Sequence, residues 1–207
     1  MAKVDITEVM PSSAYRKLME AFECMRIAPV PFQSSAVDLG ASPGGWTSVL
    51  RKMDCHVVSV DRSKLDPVLM KDDMVDFVKG DAFTFAPPAA SDRVDKSFSQ
   101  RNSWMVSDVI AYPERIVELL DRWCGNHWVS HMVITMKFQG DKPAFDELDH
   151  AISIAQGHGY SCRAKHFFNN KNEVTLMIHE KRNEKKKSLH QLEDGILGTA
   201  MYNAILP

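Results

Sequence analysis

Six charged residues of this chain stand where a short apolar run begins or gives out. Asp38 closes Ala36-Val37, Asp61 ends His56 to Val60, and Asp81 follows Val75 to Val78 through Gly80. Asp108 ends the run from Trp104, Lys137 stands near the end of His131 to Phe138, and Glu173 opens the run to Ile178. Apolar runs of this length between turn residues read as buried strands. An open α/β sheet binds its ligands at the carboxyl ends of such strands. Carboxylates placed there accept hydrogen bonds from hydroxyl and amino groups. An anionic Asp38 is a poor neighbour for a pyrophosphate and a good one for a cationic ligand. Asp61, about 20 residues beyond the first glycine of the turn at Gly40, suits a pair of ribose hydroxyls. Asp81, at a third strand tip, would accept a hydrogen bond from an amino group, with the ring of Phe83 two residues on. A lysine at a strand tip can hold a charge, or take a proton once its pKa falls from about 10.4.

The elements that must position these groups alternate. A first helix is expected over Ser12 to Arg26, with Ser12 as N-cap after Pro11. Projected at about 100° per residue, Lys17 falls between Cys24 and Ala21, on the edge of the apolar side. The turn Leu39-Gly40-Ala41-Ser42-Pro43-Gly44-Gly45-Trp46 hands the chain from the first strand to a helix over Gly45 to Lys52. Its glycines admit a ligand close to the backbone, and the new helix offers free N–H groups. A short helix near Leu65 to Lys71 and a third strand, Val75 to Val78, follow. Ala86 to Ser103 reads as a loop whose Arg93, Lys96 and Arg101 suit a solvated surface, or contact with RNA. Trp104 to Asp108 is a fourth strand and Pro113 to Trp123 a helix. A fifth strand, His131 to Phe138, precedes a helix over Ala144 to Gln156 with Phe145, Leu148, Ile152 and Ala155 on one face. Tyr160 to Phe168 is a sixth strand, and Glu173 to Ile178 a seventh that closes antiparallel. This order predicts an α/β, Rossmann-like doubly wound sheet of seven strands, mostly parallel with one antiparallel strand. Asp108, Lys137 and Glu173 then meet on one side, and Lys17 joins them if the first helix crosses the same edge.

Composition narrows the class. The chain has 207 residues, 44% of them apolar and 25% charged, with a net charge of −2, as in an ordinary globular protein. No run approaches the ~18 apolar residues of a membrane span, and Met1 to Met10 lacks a signal-peptide core. The expectation is an intracellular, cytoplasmic protein, with organelle or nucleus left open. The four cysteines form no C-x-x-C pair and the eight histidines no H-E-x-x-H, so neither a metal site nor a disulfide framework is expected. A net charge near zero confines any RNA-binding surface to local patches such as Lys181 to Lys187. Ser188-x-x-Gln191 opens a last helix, with Leu189, Leu192, Ile196, Ala200 and Ala204 on one stripe that packs on the domain or on a second copy.

Asp38-x-Gly40-x-x-Pro43-Gly44-Gly45-Trp46 resembles the S-adenosylmethionine loop of the FtsJ-like RNA ribose 2′-O-methyltransferases. Lys17-Leu18, Ser107-Asp108, Lys137-x-Phe-Gln-Gly and Glu173-Val174 stand in the order of that family's Lys-Asp-Lys-Glu tetrad. The resemblance covers about residues 12 to 180. It implies S-adenosyl-L-methionine as cofactor, held by Asp38, Gly40, Pro43, Gly44, Gly45, Trp46, Asp61, Asp81, Phe83 and Asp108. It implies catalysis by Lys17, Asp108, Lys137 and Glu173, with no metal, and RNA as the partner. Lys137 is expected to be the base, its pKa lowered by burial and by the charge of Lys17. Within the family the chain is similar to the branch acting on a cytidine of large-subunit ribosomal RNA. Ser13 stands where the family usually has arginine, and the RNA-binding region that precedes the catalytic domain in that branch is expected to be missing. The domain expectation is therefore a methyltransferase domain over 1–180, a basic linker over 181–187 and a C-terminal helix over 188–207. An accessory RNA-targeting protein, or a homodimer through that helix, would supply the targeting. Two other classes compete: an inactive RNA-binding or scaffold protein on the same fold, and a nicotinamide oxidoreductase. The last lacks the G-x-G-x-x-G fingerprint and any Tyr-x-x-x-Lys.

Overall fold

A computed structural model describes residues 10–26, 34–87, 103–139 and 143–181. The alternating pattern becomes α1 (Tyr15–Met25), β1 (Ser35–Leu39), α2 (Gly45–Lys52), β2 (His56–Asp61), β3 (Val75–Lys79), β4 (Ser103–Ser107), α3 (Pro113–Gly125), β5 (His131–Lys137), α4 (Phe145–Gly157), β6 (Tyr160–Lys165) and β7 (Glu173–Glu180). The seven strands form one sheet in the order β3-β2-β1-β4-β5-β7-β6. β1 pairs parallel with β2 and β4, β2 with β3, and β4 with β5, while β7 runs antiparallel to both β5 and β6. One reversed strand in seven is the arrangement expected from sequence.

Side-chain parity assigns the two faces. Met132, Ile134 and Met136 of β5 enter one apolar cluster with Ile116 and Leu120 of α3 and Ala151 and Ala155 of α4. Val133, with Trp104 and Val106 of β4 and Met177 of β7, enters the other, which Leu18 and Phe22 of α1 and Val49 and Leu50 of α2 complete. Successive strand residues alternate between faces, so Asp108, Lys137 and Glu173 all fall on the α1–α2 side.

Several local expectations are corrected. α1 starts at Tyr15, with Ala14 rather than Ser12 at the N-cap and no side-chain cap bond. Ser12 instead packs against Gly45, where a Cβ would run into its Oγ. The helix expected near Leu65 shrinks to a 3₁₀ turn, Leu69–Lys71. Phe145 is exposed, and Ala151 and Ala155 are the buried members of its helix; Phe145 meets Phe138 edge to face instead. Arg93, Lys96, Arg101, most of Lys181 to Lys187 and the helix expected after Ser188 lie outside the described residues. Among the described residues no helix is long and apolar enough to cross a membrane.

Candidate active site

Four charges from four elements close into a ring. Lys17 projects from the first turn of α1, and its Nζ donates to Asp108 at 2.7 Å and to Glu173 Oε1 at 2.9 Å. Lys137 ends β5, and its Nζ donates to Asp108 Oδ1 at 2.6 Å and to Glu173 Oε2 at 2.9 Å. Lys137 and Glu173 are register partners across the antiparallel β5–β7 pair. Asp108 follows the last residue of β4. Each lysine thus bridges both carboxylates and each carboxylate bridges both lysines. Lys17 and Glu173 are buried. This arrangement brings all four expected catalytic residues together.

Two side chains that sequence reasoning missed stiffen the ring. Thr135 Oγ1 donates to Asp108 Oδ1 at 2.6 Å. It stands two residues before Lys137, on the same face of β5, so strand alternation was the available signal. Asn170 Nδ2 lies 3.3 Å from both Glu173 Oε1 and Thr175 Oγ1.

The ring sets the charge states. Burial pushes the Glu173 carboxyl up, but the hydrogen bonds and charges of Lys137 and Lys17 outweigh it and bring it down to about 2. Burial likewise works against a charged Lys137, and the charge of Asp108 with the hydrogen bonds to Asp108 and Glu173 outweighs it. Lys137 is held above the ordinary lysine value. That corrects the expected lowering: two flanking carboxylates, both within hydrogen-bond reach, prevail over desolvation. At rest Lys137 is protonated and Glu173 is ionised.

The glycine turn lies beside it. Gly40 N–H donates to Val60 O at 2.9 Å, and the Ser42 N–H donates to Asp61 Oδ2 at 3.0 Å. Asp61 therefore locks the turn to the tip of β2, while its Oδ1 accepts from Ser63 N–H at 2.7 Å. The Ser42–Pro43 peptide is cis, and the Asp66 N–H donates to Pro43 O. Gly44 has φ 114°, and a Cβ there would collide with Leu69 Cδ1, so both backbone and space demand glycine.

Asp81 Oδ1 accepts from Phe83 N–H at 2.8 Å, and its Oδ2 is paired with the exposed Arg62 guanidinium. That backbone bond, then Arg62, hold its pKa below the ordinary value. Arg115 lies over the Phe83 ring at 4.8 Å, and Arg122 gathers the carbonyls of Phe83, Thr84 and Phe85. None of these arginines was singled out from sequence.

Two of the residues expected to hold the cofactor are buried. Asp38 is 1% exposed, and its Oδ2 accepts from Thr47 Oγ1 at 2.7 Å. Burial pushes its carboxyl up to about 7. It stands beneath the turn as a support rather than on its surface. Trp46 is also buried, because its indole N–H reaches back to Ala14 O at 2.7 Å. A buried indole N–H needs a partner, and this one pins the start of α1, and with it Lys17, to α2.

Residues 10–140 match the family described as FtsJ-like methyltransferase, a stretch that contains Lys17, the glycine turn, Asp108 and Lys137. The Ribosomal RNA large subunit methyltransferase M of Xylella fastidiosa (strain M12) is 30% identical over 174 residues, covering 80% of this chain and 46% of that protein. Its namesake in Shewanella pealeana is 30% identical over 190 residues, with 85% and 49% covered. The chain thus spans about half the length of the curated relatives it matches. The magnesium protoporphyrin IX methyltransferase of Synechocystis superposes with a TM-score of 0.54 at 11% identity, over 81% of this chain and 78% of that one. That likeness is one of fold. With more than half its length matched to the family and the four charged residues assembled into one ring, the chain belongs to the FtsJ-like methyltransferases.

Proposed function

We propose that this protein transfers a methyl group from S-adenosyl-L-methionine to a ribose 2′-hydroxyl of RNA, most naturally ribosomal RNA as in its named relatives. The observation that carries the reading is the closed Lys17–Asp108–Lys137–Glu173 ring. Each ammonium has three N–H donors, and Lys17 spends two of them on the ring. Its third is available to fix a hydroxyl oxygen. Methylating a hydroxyl releases one proton, and a lysine that gives up its own proton can accept it. Lys137 is the candidate base, provided the bound complex reverses the excess of negative charge that keeps it protonated. With one lysine neutral, the ring carries a net −1.

The residues around the glycine turn fit the cofactor. Gly44 holds the turn at a positive φ that a side chain would strain, and Asp61 stands at the end of β2, where a ribose diol would be held. Asp81 already accepts N–H groups from Phe83 and Arg62, as it would from an adenine amino group. S-adenosylmethionine supplies an activated methyl on a sulfonium. The protein supplies alignment, for which effective molarities reach ~10⁵ M or more. Asp38 acts on the cofactor through the turn it supports. Nothing in this geometry favours an inactive scaffold, because all four ring members remain in contact. RNA recruitment is assigned to an accessory protein or to a homodimer through residues 188–207, which size-exclusion chromatography of the full chain and of a chain ending at residue 187 would test.

The test of the reaction is transfer from labelled S-adenosylmethionine to total RNA, followed by mapping of 2′-O-methyl sites. The mapped RNA should be methylated and its DNA counterpart should not. One 2′-deoxy substitution at the mapped nucleotide should abolish transfer with binding nearly unchanged. Methylation of a base in that substituted RNA would overturn the reading.

A further inference from the structure

Among the described residues three large aromatic side chains are exposed: Tyr112 at 63%, Phe145 at 58% and Phe168 at 95%. Single exposed apolar residues are ordinary on a protein surface; the placement of these three is not. Tyr112 follows Asp108 by four residues and caps α3, Phe145 opens α4 beyond Lys137, and Phe168 lies five residues before Glu173. Each sits on the connection next to one sheet-borne member of the charged ring, at the same end of the sheet.

Phe168 is the most exposed and the most firmly presented. The Asn170 N–H donates to Phe167 O at 3.1 Å, making a turn with Phe168 at its outer corner. Asn170 Oδ1 accepts from Phe167 N–H at 2.6 Å, while its Nδ2 reaches Glu173. On the other side, the Asn169 N–H donates to Glu20 Oε2 at 3.3 Å, one turn along α1 from Lys17. The backbone carrying Phe168 is therefore tied both to a ring carboxylate and to the helix that delivers a ring lysine. A groove of about 860 Å³ runs beside it between α1 and β6, with Glu20 and Glu23 on its α1 wall and Arg163, Lys165 and Phe167 on its β6 wall. Residues 161–172 contain Arg163, Lys165, His166 and Lys171 and no acidic residue, and all four are exposed. An aromatic face held rigidly among cations is how proteins receive an unpaired nucleobase together with its phosphates.

We propose that Phe168 is a stacking platform for an unpaired base beside the acceptor nucleotide, with Arg163, Lys165 and Lys171 tracking the adjoining phosphates, so that the substrate is single-stranded where it enters the site. This rests on the proposed RNA methyl transfer and narrows its substrate class. Base–aromatic stacking of the usual strength makes Phe168→Ala raise KM for RNA by about 5- to 150-fold. The turnover at saturating RNA and the affinity for S-adenosylmethionine stay near wild type. Phe168→Trp keeps the low KM. Replacing flanking nucleotides of the mapped RNA one at a time with abasic ones identifies the partner: at one position the loss of the base weakens wild type but not Phe168→Ala. The same contrast appears in direct binding of labelled single-stranded RNA oligonucleotides, compared with the same sequences as duplexes. An unchanged KM and unchanged oligonucleotide binding in Phe168→Ala would overturn the proposal, and would leave this aromatic as a contact for protein instead. Absence of methyl transfer by wild type, with oligonucleotide binding still lost in Phe168→Ala, would defeat the proposed reaction and not the stacking site. At 95% exposure Phe168 carries no part of the core, and an unchanged melting temperature of the variant checks that folding is intact.

Discussion

Replacing Lys137 with arginine separates proton transfer from charge placement. Arginine keeps the positive charge and roughly the reach of lysine, but releases no proton near neutral pH. A lysine at its ordinary value of 10.5 is neutral in only about one molecule in a thousand at pH 7.5, and Lys137 is held above that value by Asp108 and Glu173. To be half neutral at that pH it must move by three units or more, which is about 4 kcal/mol. One unit charge at about 4 Å in a medium of effective dielectric 20 supplies that much, and desolvation by bound RNA acts in the same direction. A base role is therefore within reach in the bound complex and out of reach in the free site. Two consequences are measurable. Lys137→Arg should lose about 10²–10⁴-fold in kcat, the usual contribution of general-base catalysis, with little change in S-adenosylmethionine affinity by calorimetry. In wild type, kcat/KM reports the free protein and kcat the complex. The first should climb tenfold per pH unit across the neutral and mildly alkaline range, while the second levels off at lower pH; both limbs should flatten in the arginine variant. Lys17→Arg should be milder, because a fixed cation still orients the hydroxyl. The reverse ranking would move the base to Lys17. If both arginine variants turned over like wild type, the ring would act by alignment and electrostatics alone, and the base assignment would be refuted.

Stability should depend on pH in two windows of opposite sign. Glu173, depressed from 4.5 to about 2, contributes stability that is complete above pH 4.5 and is lost as pH falls toward 2, up to about 3 kcal/mol. Asp38, raised from 3.8 to about 7, binds a proton in the folded state that the unfolded chain has released, so stability declines as pH rises through that window. Asp38→Asn should therefore gain over wild type from about pH 4 to 7 and level off above, by at most about 4 kcal/mol; a gain independent of pH would show that the group is not buried as described. At the cofactor site, Asp81→Ala should weaken S-adenosylmethionine by about 1–3 kcal/mol for a lost hydrogen bond. Arg62→Ala removes only an exposed ion pair worth about 0–1 kcal/mol and frees Asp81 for the ligand, so calorimetry should show equal or tighter binding. Weakening as large as that of Asp81→Ala would instead make Arg62 a direct ligand contact.

The parts of the site that strand periodicity controls were legible from sequence. Asp108 and Lys137 stand where apolar runs give out and Glu173 where one begins, and the alternation of the sheet leaves no freedom over which face they take. Gly44 was legible for the same kind of reason, since its positive φ excludes other residues. Depth was not legible. Asp38 and Trp46 sit in the motif itself, yet both point away from the surface of the turn, because Thr47 and the carbonyl of Ala14 offer partners there. The ionisation of Lys137 was harder still. Its sign depends on the sum over Asp108, Glu173 and Lys17, from three other elements. Burial alone predicts a lowered pKa, and only the distances show that two carboxylates prevail.

The reversed strand is what makes the ring possible. A parallel β7 would place its last residue at the tip beside Lys137 and bury Glu173 at the opposite end of the sheet. Running antiparallel, β7 begins at that tip, and its first residue pairs directly with Lys137 while Thr175 pairs with Thr135. A slip of one residue in this pairing would turn Glu173 to the α3–α4 face. It would leave the buried Lys17 and the half-buried Lys137 sharing one carboxylate, a costly arrangement. Asn170 opposes such a slip: its side chain bonds Glu173 and Thr175 together, two residues apart on the same face. The turn that presents Phe168 to solvent is closed by that same asparagine. The register of Glu173 and the position of the proposed stacking face thus depend on one side chain, so a substitution at Asn170 should disturb the ring and the proposed RNA contact together.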